Sequence, residues 1–145
     1  MQTPRLVLAL VAAFALAGCG GSGGSGGTPA AAPVESVKPA VVEQLPPAAF
    51  AKRIDHGDGM LINVHVPDEG EIPGTDAHIP YLSIAVSDKL PADKDRELLI
   101  YCRSGHMSAE AGQSLVAAGY RHVAELAGGF NAWTESGRKL TPGPA

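Results

Sequence analysis

Residues 98–102, Leu-Leu-Ile-Tyr-Cys, form an apolar run with no charge and no break. A run this short fits a strand buried on both faces, which occurs where helices cover both sides of a parallel sheet. The flanking segments support that reading. VKPAVVEQL (37–45) reads as a short strand, and PPAAFAKRI (46–54) as a helix with proline in its first turn and Phe50 and Ile54 one turn apart. HGDG is a turn, and MLINVHV (60–66) is a strand that ends in alternation. Residues 67–84, rich in proline, glycine and acid, read as loop. The strongest helix is expected over 108–118, with Ser108 as its cap. Gly112, Leu115 and Val116 share one of its faces, Gly119 follows its end, and Tyr120 is the apolar partner of that cap. VAEL (123–126) is a further strand, and GGFNAWTESG (128–137) a last short helix whose Trp133 belongs to the core. Strands alternating with helices predict an α/β domain around a mainly parallel sheet.

The amino-terminal segment is read apart from that domain. Arg5 precedes the apolar run LVLALVAAFALAG, which is short for a membrane span and suits a signal peptide over 1–18. The run closes in Leu16-Ala17-Gly18-Cys19, which resembles a bacterial lipobox and implies cleavage before Cys19 and lipidation of that residue. An ordinary signal peptide with an incidental cysteine is the alternative. Residues 19–39, with the repeat GGSGGSGG, read as a flexible linker whose root-mean-square reach is about 25 Å. The folded domain is expected over 40–141. Anchoring to the membrane through Cys19 places it in the bacterial cell envelope, on the periplasmic or outer-membrane side, and Gly20 resembles an outer-membrane sorting signal. Removal of Arg5 leaves ten basic against fifteen acidic residues. That balance argues against a nucleic-acid partner.

With Cys19 acylated, Cys102 is the one remaining cysteine and has no disulfide partner in the chain. It stands where a strand ends and a helix begins, which in a parallel sheet is where reactive groups collect. Arg103, Ser104, Gly105, His106 and Met107 form a short loop feeding the helix, and successive N–H groups in such a loop make an anion-binding nest. The same dipoles favour a thiolate, so one set of groups would activate a nucleophile and cradle an anionic atom. The bland alternative is a packing cysteine that acts as a small hydrophobe.

Three stretches carry a resemblance: YCRSG (101–105), LAGGFNAW (126–133) and LINVHVPDEGEIPGTDAHIPYLSI (61–84). Together they resemble a single-domain rhodanese, a sulfurtransferase, over about residues 40 to 140. The resemblance implies a three-layer α/β/α sandwich around the sheet. It implies persulfide formation at Cys102, with substrate contacts from Arg103, Ser104, Gly105, His106, Met107 and Ser108. A small sulfur-containing anion such as thiosulfate, or a polysulfide, is the implied donor, and a thiol or cyanide the acceptor. No cofactor or metal is expected. His56, His78 and His122 lack ligand spacing.

The chain departs from the family pattern at three positions. Asn63 and His65 stand where the family usually carries Asp and Arg, positions expected to support the site from behind the cysteine. Met107 replaces a basic or small hydroxyl residue. These changes leave the nucleophile and nest in place but bear on thiosulfate as the donor. Arg103 is read either as a solvated loop charge or as a substrate contact. His106 either faces solvent or touches substrate, and His65 keeps a structural hydrogen bond at its strand end. Cysteine phosphatase chemistry needs an arginine six residues after the nucleophile, where this chain has Ser108. The rival from another class is a rhodanese-like module that carries sulfur or binds an anion with slow turnover.

Overall fold

The computed structural model describes residues 40–143. The signal-peptide and linker expectations, with Cys19, lie outside the described residues. Five strands form one sheet: β1 (Glu43–Leu45), β2 (Met60–Asn63), β3 (Ala77–His78), β4 (Leu98–Tyr101) and β5 (Val123–Leu126). Their order is β1-β5-β4-β2-β3, and every pairing between them is parallel. The helices are α1 (Pro47–His56), α2 (His106–Ala117) and α3 (Gly129–Glu135), with a 3-10 turn over Tyr81–Val86.

Side-chain alternation along β4 builds the three layers. Leu98, Ile100 and Cys102 join Ile62, Ala111, Leu115 and Ile84 on the face covered by α2 and the 3-10 turn. Leu99 and Tyr101 join Phe50, Leu61, Phe130 and Trp133 on the face covered by α1 and α3. Each Leu or Ile buried in this way contributes about 1.5–3 kcal/mol of transfer free energy. The fold is therefore the rhodanese-like α/β sandwich around a parallel sheet that the sequence implied.

Local chemistry sets the helix ends. Pro47 starts α1, where its missing N–H costs no helical bond, and Gly57 closes the helix at φ +76°. Gly119, at φ +93°, ends α2 in a Schellman motif: its N–H bonds to Val116 O (3.0 Å) and Tyr120 N–H to Leu115 O (3.1 Å). Gly112 lets α2 approach the segment leading into β1, since a Cβ there would stand 2.8 Å from Val42 Cγ2.

Several boundaries differ from the expectations. β1 is Glu43–Leu45, at the end of the expected 37–45, of which 37–39 lie outside the described residues, and β2 stops at Asn63 rather than 66. The Asn63 side-chain oxygen accepts the His65 N–H (3.0 Å), turning the chain out of the ladder just before Pro67. The segment 67–84 is not all loop. It contains β3, tied to β2 by Asp76 N–H to Leu61 O (2.8 Å) and Ile79 N–H to Asn63 O (2.9 Å), and the 3-10 turn begins within it. A two-residue strand has no period to detect, and of the 3-10 turn only Ile84 is buried.

Helix α2 starts at His106, two residues earlier than expected, and its N-cap is Gly105 at φ +98°. Ser108 is therefore not the cap. It lies fully buried in the first turn, and its hydroxyl donates to Gly105 O (3.1 Å), whereas a capping hydroxyl would accept a backbone N–H.

Candidate active site

The site begins with the anchoring of β4. Tyr101 is fully buried, and its hydroxyl accepts the Ile72 N–H (3.0 Å) and bonds to Thr75 Oγ1 (2.6 Å). Burial pushes this phenol up to about 12. The next residue, Cys102, is 1% exposed and closes the strand at its carboxyl end.

Two glycine-dependent contacts shape the loop that follows. The left-handed turn at Gly105 brings its N–H to 3.1 Å from Cys102 Sγ. On the α3 side, the carbonyls of Cys102 and Arg103 accept the N–H groups of Phe130 (2.9 Å) and Asn131 (3.1 Å). That docking requires Gly129, at φ +60°, because a Cβ there would lie 2.3 Å from Cys102 O. The glycine pair after β5 therefore holds the loop carbonyls. Ser108 Oγ lies 3.6 Å from Sγ. First-turn N–H groups of a helix have no intrahelical acceptor, so the start of α2 adds donors and a positive dipole end beside the thiol.

A cavity of about 430 Å³ opens here, lined by Cys102, Arg103, Ser104, His106 and Met107 from the loop and by His65 and Tyr81. The structure thus brings six of the expected site residues, Cys102, Arg103, Ser104, His106, Met107 and His65, to one cavity. Gly105 and Ser108 contact the sulfur or the loop from within. A larger cavity of about 560 Å³ lies among Arg53, Glu97, Arg121 and Val123, at the amino ends of β4 and β5, and is lined by no cysteine.

Asn63 does not line the cavity; it is fully buried, with Nδ2 donating to Gly70 O (3.3 Å). His65 is 5% exposed, edge-on to Phe130 at 5.5 Å between ring centroids, and its carbonyl accepts from His78 Nε2 (2.6 Å). Its Nε2 bonds to Glu69 Oε2 (3.0 Å), while its buried Nδ1 has no partner among the described residues. Arg103 Nη1 donates to Glu69 Oε1 (3.1 Å). His106 is 80% exposed in its side chain and lies 3.3 Å from Glu110 Oε1. Met107 is half-buried against the α2-side core.

Sequence reasoning missed Glu69 and Tyr81. The signal for Glu69 was its spacing of four from His65, which means little in a loop. Tyr81 looked like an ordinary aromatic after Ile-Pro.

Fold and site together define a three-layer α/β domain that presents a thiol at the carboxyl end of a central parallel strand. Residues 46–136 match the Rhodanese-like domain family, and the chain belongs to it. It is 33% identical over 102 residues to a "Sulfurtransferase" of Allochromatium vinosum, covering 67% of this chain and 92% of that protein. Over 42 residues it is 43% identical to "Thiosulfate sulfurtransferase GlpE" of Coxiella burnetii, covering 29% of this chain and 39% of that one. The rhodanese-like domain of the Anabaena sp. Alr3790 protein superposes with a TM-score of 0.61 at 23% identity, covering 72% of this chain and 86% of that domain. At the level of the family, this is a sulfur-transfer domain.

Proposed function

We propose that the protein is a sulfurtransferase that moves sulfane sulfur through a persulfide on Cys102. The Cys102 thiolate attacks the outer sulfur of the donor. An S–S bond forms at Sγ, the donor's S–S bond breaks, and the leaving group, sulfite in the case of thiosulfate, departs with the electron pair. A thiol or cyanide acceptor then attacks the outer persulfide sulfur, and the electron pair returns to Cys102 as thiolate. The cycle needs no outside oxidant or reductant.

The observation that carries this reading is the Gly105 N–H at 3.1 Å from a cavity-lining sulfur. An N–H donor at that distance supports the negative charge that returns to Sγ when the acceptor takes the outer sulfur. Ser108, at the position where phosphatase chemistry needs arginine, supplies only a hydroxyl already engaged with Gly105 O. Steady-state release of thiocyanate from a sulfur donor and cyanide tests the reading. It should be lost in Cys102→Ala, and a wild-type rate no faster than that variant would refute turnover.

One observation favours a slower, sulfur-carrying role: Arg103 is paired with Glu69 through Nη1 and Oε1 at 3.1 Å. Stoichiometric loading without multiple turnovers would identify that role.

The protein is further proposed to be exported and lipid-anchored at Cys19 in the bacterial cell envelope, with the domain reached through the glycine-rich linker. The Leu16-Ala17-Gly18-Cys19 sequence after an apolar run supports this. Incorporation of labelled fatty acid into the full chain, and its loss in Cys19→Ser, is the expected result. Equal labelling of both chains would contradict it.

A further inference from the structure

Every side chain lining the Cys102 cavity that is able to carry positive charge is already matched by a carboxylate. Glu69 serves two of them at once, with Oε1 3.1 Å from Arg103 Nη1 and Oε2 3.0 Å from His65 Nε2. His106 turns to Glu110 at 3.3 Å. The remaining lining is Tyr81, Ser104 and Met107 around the sulfur itself. A dianion entering this cavity meets no uncommitted cation among the described lining residues, and beside Arg103 it meets the field of Glu69. A donor of low charge loses little there and gains contact with Tyr81 and Met107.

Building on the sulfur-transfer reading, we propose that Glu69 is a donor-selectivity residue. By pairing with Arg103 while it also bonds to His65 Nε2, it turns loading of Cys102 away from dianionic thiosulfate and towards small organic hydropersulfides. With such a donor, the Cys102 thiolate attacks the outer sulfur of R–S–S–H. The new S–S bond forms at Sγ, the donor S–S bond breaks, and R–S⁻ leaves with the electron pair while the outer sulfur keeps its proton. Glu69 touches neither donor nor sulfur in this step; it acts through the charge of Arg103.

The test is single-turnover loading of the full chain, read by intact mass, with thiosulfate and with cysteine hydropersulfide as parallel donors. Wild type, Glu69→Gln and Glu69→Asp are compared. Glutamine is isosteric and retains a hydrogen-bond acceptor but releases the charge, while aspartate keeps the charge. The ratio of thiosulfate to hydropersulfide loading rates should rise about fivefold or more in Glu69→Gln, equivalent to about 1 kcal/mol. It should stay near the wild-type value in Glu69→Asp, and the gain should shrink at high salt because the effect is one of charge. Hydropersulfide loading also reports whether each variant keeps a working site. An unchanged ratio, or rates for both donors moving by one common factor, would overturn the selectivity role while leaving sulfur transfer intact. Failure of both donors in every chain, wild type included, would overturn sulfur transfer and the selectivity with it.

Discussion

The Gly105 N–H reaches Cys102 Sγ at 3.1 Å only because Gly105 takes a left-handed turn at φ +98°. That turn belongs to a loop whose opposite edge is held by Gly129, against which the Cys102 and Arg103 carbonyls pack. In Gly129→Ala, a Cβ would stand 2.3 Å from Cys102 O and 2.5 Å from Arg103 C, at a φ of +60° that disfavours side chains. Backbone must shift, and it is the backbone that positions the thiol. The expected loss of stability is about 1–3 kcal/mol by urea unfolding, with slowed sulfur loading in the fraction that remains folded. Wild-type loading in that variant would show that the α3 contact does not position the loop.

Met107 occupies a half-buried place on the cavity wall without adding charge. Met107→Arg introduces a cation not committed to a carboxylate of the native chain. A charge-assisted contact to a thiosulfate oxygen contributes about 1.5–3 kcal/mol, so loading from thiosulfate should quicken about tenfold. Single-turnover rates on the variant check this. No acceleration would mean that position 107 does not contact the donor.

Tyr101 ties β4 to the 67–84 segment by bonding to Ile72 N–H and Thr75 Oγ1. Tyr101→Phe leaves a buried N–H without its acceptor and should cost about 1–3 kcal/mol at neutral pH, measured by urea unfolding.

The same hydroxyl makes stability depend on alkaline pH. Its ordinary value is 10.0, and burial pushes it up to about 12 in the folded chain. Folding therefore favours the protonated phenol. The associated stability is full below pH 10 and is lost as pH rises through about 12. A gap of about two units corresponds to about 3 kcal/mol. Wild type should lose more stability than Tyr101→Phe between pH 10 and pH 12, and parallel losses in the two chains would contradict the linkage.

Much of this arrangement is legible in the residues themselves. The run Leu98–Tyr101 announces a doubly covered parallel strand because every side chain in it must leave water. Gly119 and Tyr120 mark the end of α2 because only a left-handed residue followed by an apolar one makes that cap. Cys102 and the Gly128-Gly129 pair are visible as a motif, and their contact supplies the reason for the spacing. What was not legible depends on contacts distant in sequence or too brief to show a period. β3 exists through two bonds to β2, and Ser108 looked like a cap because hydroxyl residues favour that place, whereas Gly105 takes it. Glu69 binds Arg103 across 34 positions in the chain, a pairing that no local pattern encodes.

The most direct measurement is the intact mass of the full chain after exposure to thiosulfate or to cysteine hydropersulfide, beside Cys102→Ala. The wild-type chain should gain one sulfur atom from at least the hydropersulfide and lose it to cyanide or a thiol, while the alanine chain gains none. No gain from either donor, or the same gain in Cys102→Ala, would contradict sulfur transfer at Cys102.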